Sequence, residues 1–91
     1  GAAKAGLNAL TRSFAFALGP SVRVNCIIAG PFLTDGPDHW NMDAFEKDAQ
    51  INLALKRGGE PDEVVGAALY LASRTSSFTT GTLMRVDGGG R

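Results

Sequence analysis

Lys4 is the first residue able to do chemistry, and it stands among small neighbours in the opening stretch GAAKAGLNALTRSFAFALGP. By itself an isolated lysine on a helix is solvated surface charge. Other chemistries fail on spacing. His39 and Cys26 lie thirteen residues apart and make no spaced ligand cluster, so no metal site is expected. Ser73, Ser76 and Ser77 have no histidine base in a recognisable arrangement, which leaves serine nucleophile chemistry unsupported. Gly88 to Gly90 follow an apolar run but precede no helix, so the phosphate-binding dinucleotide fingerprint is absent. His39 is the only histidine and has no evident partner; Trp40 beside it reads as loop packing.

The elements that must position these residues follow from periodicity. Leu7, Leu10, Phe14 and Leu18 recur at spacings of three and four, an apolar stripe that predicts a helix. Gly19-Pro20 ends it, because proline cannot continue a helix. Val22 to Ile28 is a β-branched run, apolar on nearly both faces, which suits a strand inside a parallel sheet. Met42 to Leu55 regains an amphipathic pattern through Phe45, Ala49 and Leu53. Pro61, with Glu60, Asp62 and Glu63, marks a helix start, and Val64, Ala68, Leu71 and Ala72 form its predicted buried stripe. Thr82 to Val86 predicts a short strand, and DGGGR a flexible end.

The order is therefore α-β-α-α-β, the α/β class. Two strands cannot make a stable sheet alone, and both want neighbours on either side. Together with a start at Gly1 rather than methionine, this predicts a fragment of a longer protein. At 91 residues the chain is at most one small domain with a thin core. Nine basic and nine acidic residues cancel, which argues against nucleic-acid partners. One cysteine excludes an internal disulfide and suits a reducing, cytoplasmic setting. No apolar stretch reaches membrane-spanning length, so no membrane partner is expected.

Taken together, GAAKAGLNALTRSFA, RVNCIIAGPFLTD, LKRGGEPDEVVGAALYLAS and SSFTTGTLMRVDGG resemble the C-terminal part of the NAD(P)-dependent short-chain dehydrogenases/reductases. The branch they resemble most contains 3-oxoacyl-carrier-protein reductases and related carbonyl and alcohol oxidoreductases, and the resemblance covers essentially the whole chain. It implies that residues 1–91 are the C-terminal part of one Rossmann-type, doubly wound parallel-sheet domain. In that family a tyrosine and a lysine four positions later share one helix face, and Lys4 matches the lysine. Such a lysine lowers the tyrosine's pKa and hydrogen-bonds the nicotinamide ribose, while the tyrosine exchanges a proton with the substrate oxygen. The matching tyrosine position falls one residue before Gly1, so the 91 residues alone are expected to be inactive.

The resemblance also implies cofactor contacts at Gly30, at the Phe32 backbone and at Thr34, with Ala29 standing where the family usually has proline. Residues 35–57 match the variable substrate-covering segment, in which Trp40, Met42 and Phe45 either line a pocket or pack the lid. The implied cofactor is NAD or NADP, the implied substrate a small carbonyl or alcohol, and the implied full-length assembly a homo-oligomer, tetramer or dimer. A different class of reading is a truncated, non-catalytic interaction module that pairs with a full-length homologue.

Overall fold

The periodic opening segment forms α1, Ala2–Leu18, in the structure, a computed structural model that describes residues 1–33 and 42–90. β1 (Cys26–Ala29), α2 (Met42–Asn52), α3 (Val65–Ala72) and β2 (Leu83–Val86) follow in order. Single 3-10 turns, Pro61–Val64 and Arg74–Ser76, flank α3. The order is the expected one.

β1 and β2 pair directly. Cys26 N–H donates to Thr82 O (2.9 Å) and Gly30 N–H to Val86 O (2.8 Å), so both numbers ascend together and the strands are parallel. Parallel neighbours need a crossover, which here runs through α2 and α3. β1 is shorter than the apolar run that predicts it. Before Cys26 the backbone pairing is mixed with side-chain bonds: Val24 O accepts from Gly81 N–H (2.7 Å), but Val24 N–H donates to Thr80 Oγ1 (3.0 Å), and Asn25 Oδ1 accepts from Thr82 N–H (3.1 Å).

The chain divides into two compact units, Gly1–Ile27 with Ala67–Met84, and Ile28–Gly66 with Arg85–Arg91. In the first, Thr11 and Ala15 are buried on α1, and Ser76 is completely so. Much of its order comes from polar groups meeting carbonyls. The Arg23 guanidinium donates to Leu71 O and Thr79 O (both 3.1 Å) and to Ser73 O (3.4 Å), closing the C-terminal end of α3, whose last carbonyls have no intrahelical donor. Ser76 Oγ donates to Ser73 O (2.9 Å) and Leu71 O (3.0 Å), and Asn25 Nδ2 to Thr79 O (3.1 Å). The predicted buried stripe of α3 is not buried: Val64 and Leu71 are half-covered, Ala68 and Ala72 exposed. Leu7, Leu10, Phe14 and Leu18 of α1 are likewise exposed, because no described element lies over that stripe.

The second unit buries Ala49, Leu53 and Gly58. α2 stops at Asn52 rather than Leu55 because its next residues hand their backbone to the glycine run. Ala54 N–H donates to Gly89 O (3.2 Å) and Leu55 N–H to Gly88 O (2.9 Å), with an antiparallel bridge between Leu53 and Gly90. The expected flexible end at Asp87–Gly90 is therefore an organised turn. Gly88 (φ +67°) and Gly89 (φ +80°) take left-handed conformations that side chains disfavour, and a Cβ on Gly89 would lie 2.6 Å from Ala54 Cβ.

Candidate active site

Lys4 sits in the first turn of α1, exposed, in a turn with no acidic side chain. Its small neighbours Ala2, Ala3, Ala5 and Gly6 are exposed too, and open space surrounds Gly6. A run of alanines favours helix without covering the lysine, which leaves the ammonium free to meet a partner.

The second unit places Gly30, Phe32, Met42 and Phe45. Gly30 lies directly after β1, at the carboxyl end of the strand, where open α/β sheets hold their ligands. A Cβ at Gly30 would overlap Asp87 Cα and Cβ, so the glycine is required by the close passage of the chain leaving β2. Pro31–Leu33 then pairs with Gly59: Gly59 N–H donates to Pro31 O (2.9 Å), and Leu33 N–H donates to Gly59 O (2.7 Å). In such a parallel bridge the central residue points its own polar groups the other way. The N–H and C=O of Phe32 therefore face away from Gly59, and among the described residues neither is hydrogen-bonded to backbone. A donor and an acceptor side by side suit a planar carboxamide, which carries the complementary pair.

Phe45 packs its ring on Gly58, where a Cβ would overlap the ring, and with Met42, Leu33 and Lys56 it borders a cavity of about 290 Å3. The two residues are thus neighbours around one depression, and Phe45 is also a packing residue. Thr34 and Trp40 lie outside the described residues. Lys4 belongs to the first unit and Gly30, Phe32, Met42 and Phe45 to the second.

A larger cavity of about 420 Å3 opens in the second unit beside Phe32, bordered by Arg57, Glu63, Arg85 and Asp87. Sequence reasoning singles out none of these four as a site residue: Arg57 ends the 35–57 segment, Glu63 marks a helix start, Arg85 lies in the last strand and Asp87 opens the glycine-rich end. Arg85 and Asp87, at alternate positions around the end of β2, were the available signal, since such residues share a strand face.

The four charges form two pairs. Arg57 donates from Nη1 and Nη2 to Glu63 Oε1 and Oε2 (2.7 and 2.9 Å), and Glu60 N–H donates to Glu63 Oε1 (2.8 Å). The Arg57 hydrogen bonds first, and then the Glu60 backbone, hold the Glu63 carboxyl down to about 2. Arg57 is raised in turn by the Glu63 hydrogen bond and charge. Partial burial works against an ionised Asp87, but the Arg85 hydrogen bond (Nε to Oδ2, 2.9 Å) and the Gly89 and Gly90 N–H groups outweigh it and lower its pKa. Among the described residues no three His, Cys, Asp or Glu side chains gather to hold a metal, and no helix is long and apolar enough to cross a membrane.

Comparison with known proteins is consistent over nearly the whole chain. A family model described as enoyl-(acyl carrier protein) reductase matches residues 1–90. L-xylulose reductase of Caenorhabditis elegans is 41% identical over 90 residues, covering 97% of this chain and 36% of that protein. Among solved structures, 4-hydroxyisoleucine dehydrogenase complexed with NADH superposes with a TM-score of 0.83 at 31% identity, over 97% of this chain and 37% of that one. L-sorbose reductase from Gluconobacter frateurii, complexed with NADPH and L-sorbose, gives 0.79 at 26% identity, over 96% and 38%. The chain thus spans just over a third of the length of these relatives.

Proposed function

The chain belongs to the short-chain dehydrogenase/reductase family, and we propose from that premise that its full-length parent transfers hydride between NAD or NADP and a carbonyl or secondary alcohol. The cofactor supplies or accepts the hydride. Lys4, exposed on the first turn of α1, lowers the pKa of a tyrosine hydroxyl one helical turn before it and hydrogen-bonds the nicotinamide ribose. That hydroxyl gives its proton to the carbonyl oxygen in reduction and takes it back in oxidation. Gly30, Phe32 and Thr34 make the nicotinamide contacts, and residues 35–57 cover the substrate, Trp40, Met42 and Phe45 among them. The parent works in the cytoplasm as a homo-oligomer, dimer or tetramer, without nucleic-acid or membrane partners.

The observation that supports this reading best is Phe32, whose N–H and C=O face away from Gly59 at the carboxyl end of β1. The test is NAD(P)H consumption by the full-length protein with a panel of ketones. Lys4→Ala is expected to lower kcat/KM by about a hundredfold or more. Undiminished turnover in that variant would remove Lys4 from the mechanism. The 91 residues alone are expected to show no turnover.

A second reading, the non-catalytic module that pairs with a full-length homologue, is favoured by one observation. Phe16 and Phe78 are 93% and 103% exposed, and Leu10, Leu69 and Val65 are also open. Co-elution of the purified chain with a full-length relative would support it; independent elution would leave the oxidoreductase reading alone.

A further inference from the structure

We propose that Asp87 is a positioning residue for the Gly30–Leu33 backbone, holding in register the segment that meets the nicotinamide end of the cofactor. This rests on the reading of that segment as the cofactor contact.

The argument is one of connected supports within the second unit. Gly30 is tied to the exit of β2 by its N–H bond to Val86 O (2.8 Å) and by a backbone approach to Asp87 too close for any side chain. The path of the backbone at Asp87 therefore fixes the path at Gly30. That path is set by the Asp87 side chain. Oδ2 accepts from Arg85 Nε (2.9 Å) and Nη2 (2.8 Å), and Oδ1 accepts from the N–H groups of Gly89 (3.0 Å) and Gly90 (3.4 Å). Arg85 Nη2 also donates to Gly90 O, which closes the turn on itself.

The turn then reaches the other side of the same segment. Gly88 and Gly89 hold Leu55 and Ala54 through their carbonyls, and a few residues on Gly59 brackets Pro31 and Leu33. Gly30 is thus held from β2 and Pro31–Leu33 from Gly59, with the Asp87 carboxylate at the root of both. Charge-assisted hydrogen bonds of this kind are about twice as strong as neutral ones, and the carboxylate is mostly covered, at 12% exposure. A small displacement of the segment would spoil a contact made by backbone atoms, which no rotamer change can restore.

The experiment uses the full-length protein that carries this segment and compares two ligands. One is NADH or NADPH, whichever the wild type binds. The other is ADP-ribose, or its 2′-phosphate, which lacks the nicotinamide. Asp87→Ala is expected to raise the Kd for NAD(P)H about tenfold while the Kd for ADP-ribose stays within about twofold. Asp87→Asn keeps an oxygen for the Gly89 and Gly90 N–H groups and is expected to recover roughly half of that loss on a logarithmic scale. Equal weakening of both ligands, or of neither, would overturn the proposal, since a merely structural role moves the two together. If Asp87→Ala does not fold, Asp87→Asn decides by the same ratio. A wild type that binds neither NADH nor NADPH would instead overturn the reading of the segment on which the proposal stands.

Discussion

One cluster in each unit is ordered by means opposite to the other's. Around Arg23 and Ser76, long or polar side chains reach backbone carbonyls at the end of α3 and in the segment that follows it. Around Gly30, Gly58 and Gly89, side chains are missing, and the Asp87 backbone and Cβ, the Phe45 ring and the Ala54 methyl occupy the space they would need. The first cluster is held by donors that were added, the second set of positions by atoms left out. At these positions the difference predicts opposite sensitivities: the Arg23 and Ser76 cluster fails when a side chain is shortened, the glycine positions when one is lengthened by a single carbon.

The sharpest way to break this contrast is Gly30→Ala. Its methyl would overlap Asp87 backbone and Cβ, and neither strand end can yield without losing the Gly30–Val86 hydrogen bond. A loss of about 3 kcal/mol is expected in urea unfolding of the full-length protein. A neutral result would mean that the two strand ends part easily. Next in size is Arg23→Ala, which leaves the carbonyls of Leu71, Ser73 and Thr79 without their guanidinium donor and should cost about 2 kcal/mol by the same measurement. Arg23→Lys should not restore it, because one ammonium cannot match the planar fork. Equal stability of the lysine and arginine proteins would reduce the site to simple charge.

The smallest expected effect is a pH dependence from the exposed Arg57–Glu63 pair. Glu63 is depressed from an ordinary value of 4.5 to about 2, so the folded state binds its proton later than the unfolded chain does. Its contribution is complete above about pH 4.5 and disappears as pH falls toward 2. Both side chains are about half open to solvent, at 52% and 41%, so added salt should shrink the effect. Glu63→Gln should flatten this part of the stability profile. An unchanged profile would show that the pair contributes nothing measurable.

How far these features could be read in advance depends on their range. The leucine and phenylalanine spacing finds α1, and the β-branched run finds β1, because both signals are local. The early end of α2 was not legible, since it is caused by hydrogen bonds from Ala54 and Leu55 to Gly89 and Gly88. A triple glycine looks like slack when its partners lie far away in sequence. The same holds for Arg23, whose acceptors are 48 to 56 residues distant. Lys4 was reachable only through resemblance, because nothing in its own surroundings distinguishes it from surface charge. Resemblance assigns Gly30 to cofactor approach, and its contact with Asp87 gives a second and independent demand for glycine there. The carboxylate supporting the candidate cofactor segment is half legible: its Arg85 partner lies two residues away at the end of β2, while the Gly89 and Gly90 N–H groups carry no residue signature.

The parallel pairing of β1 with β2 also has a consequence in time. Val24 waits for Thr80, 56 residues later, and Cys26 for Thr82. On a ribosome the first of these strands emerges before the β2 edge it pairs with exists, and a separation of this size makes that pairing a late, non-local event. Until residues 80–90 have been synthesised, the edge of this segment that β2 takes is open to whatever other strand it meets first. For this segment the hazardous interval is birth, well before any denaturant is applied.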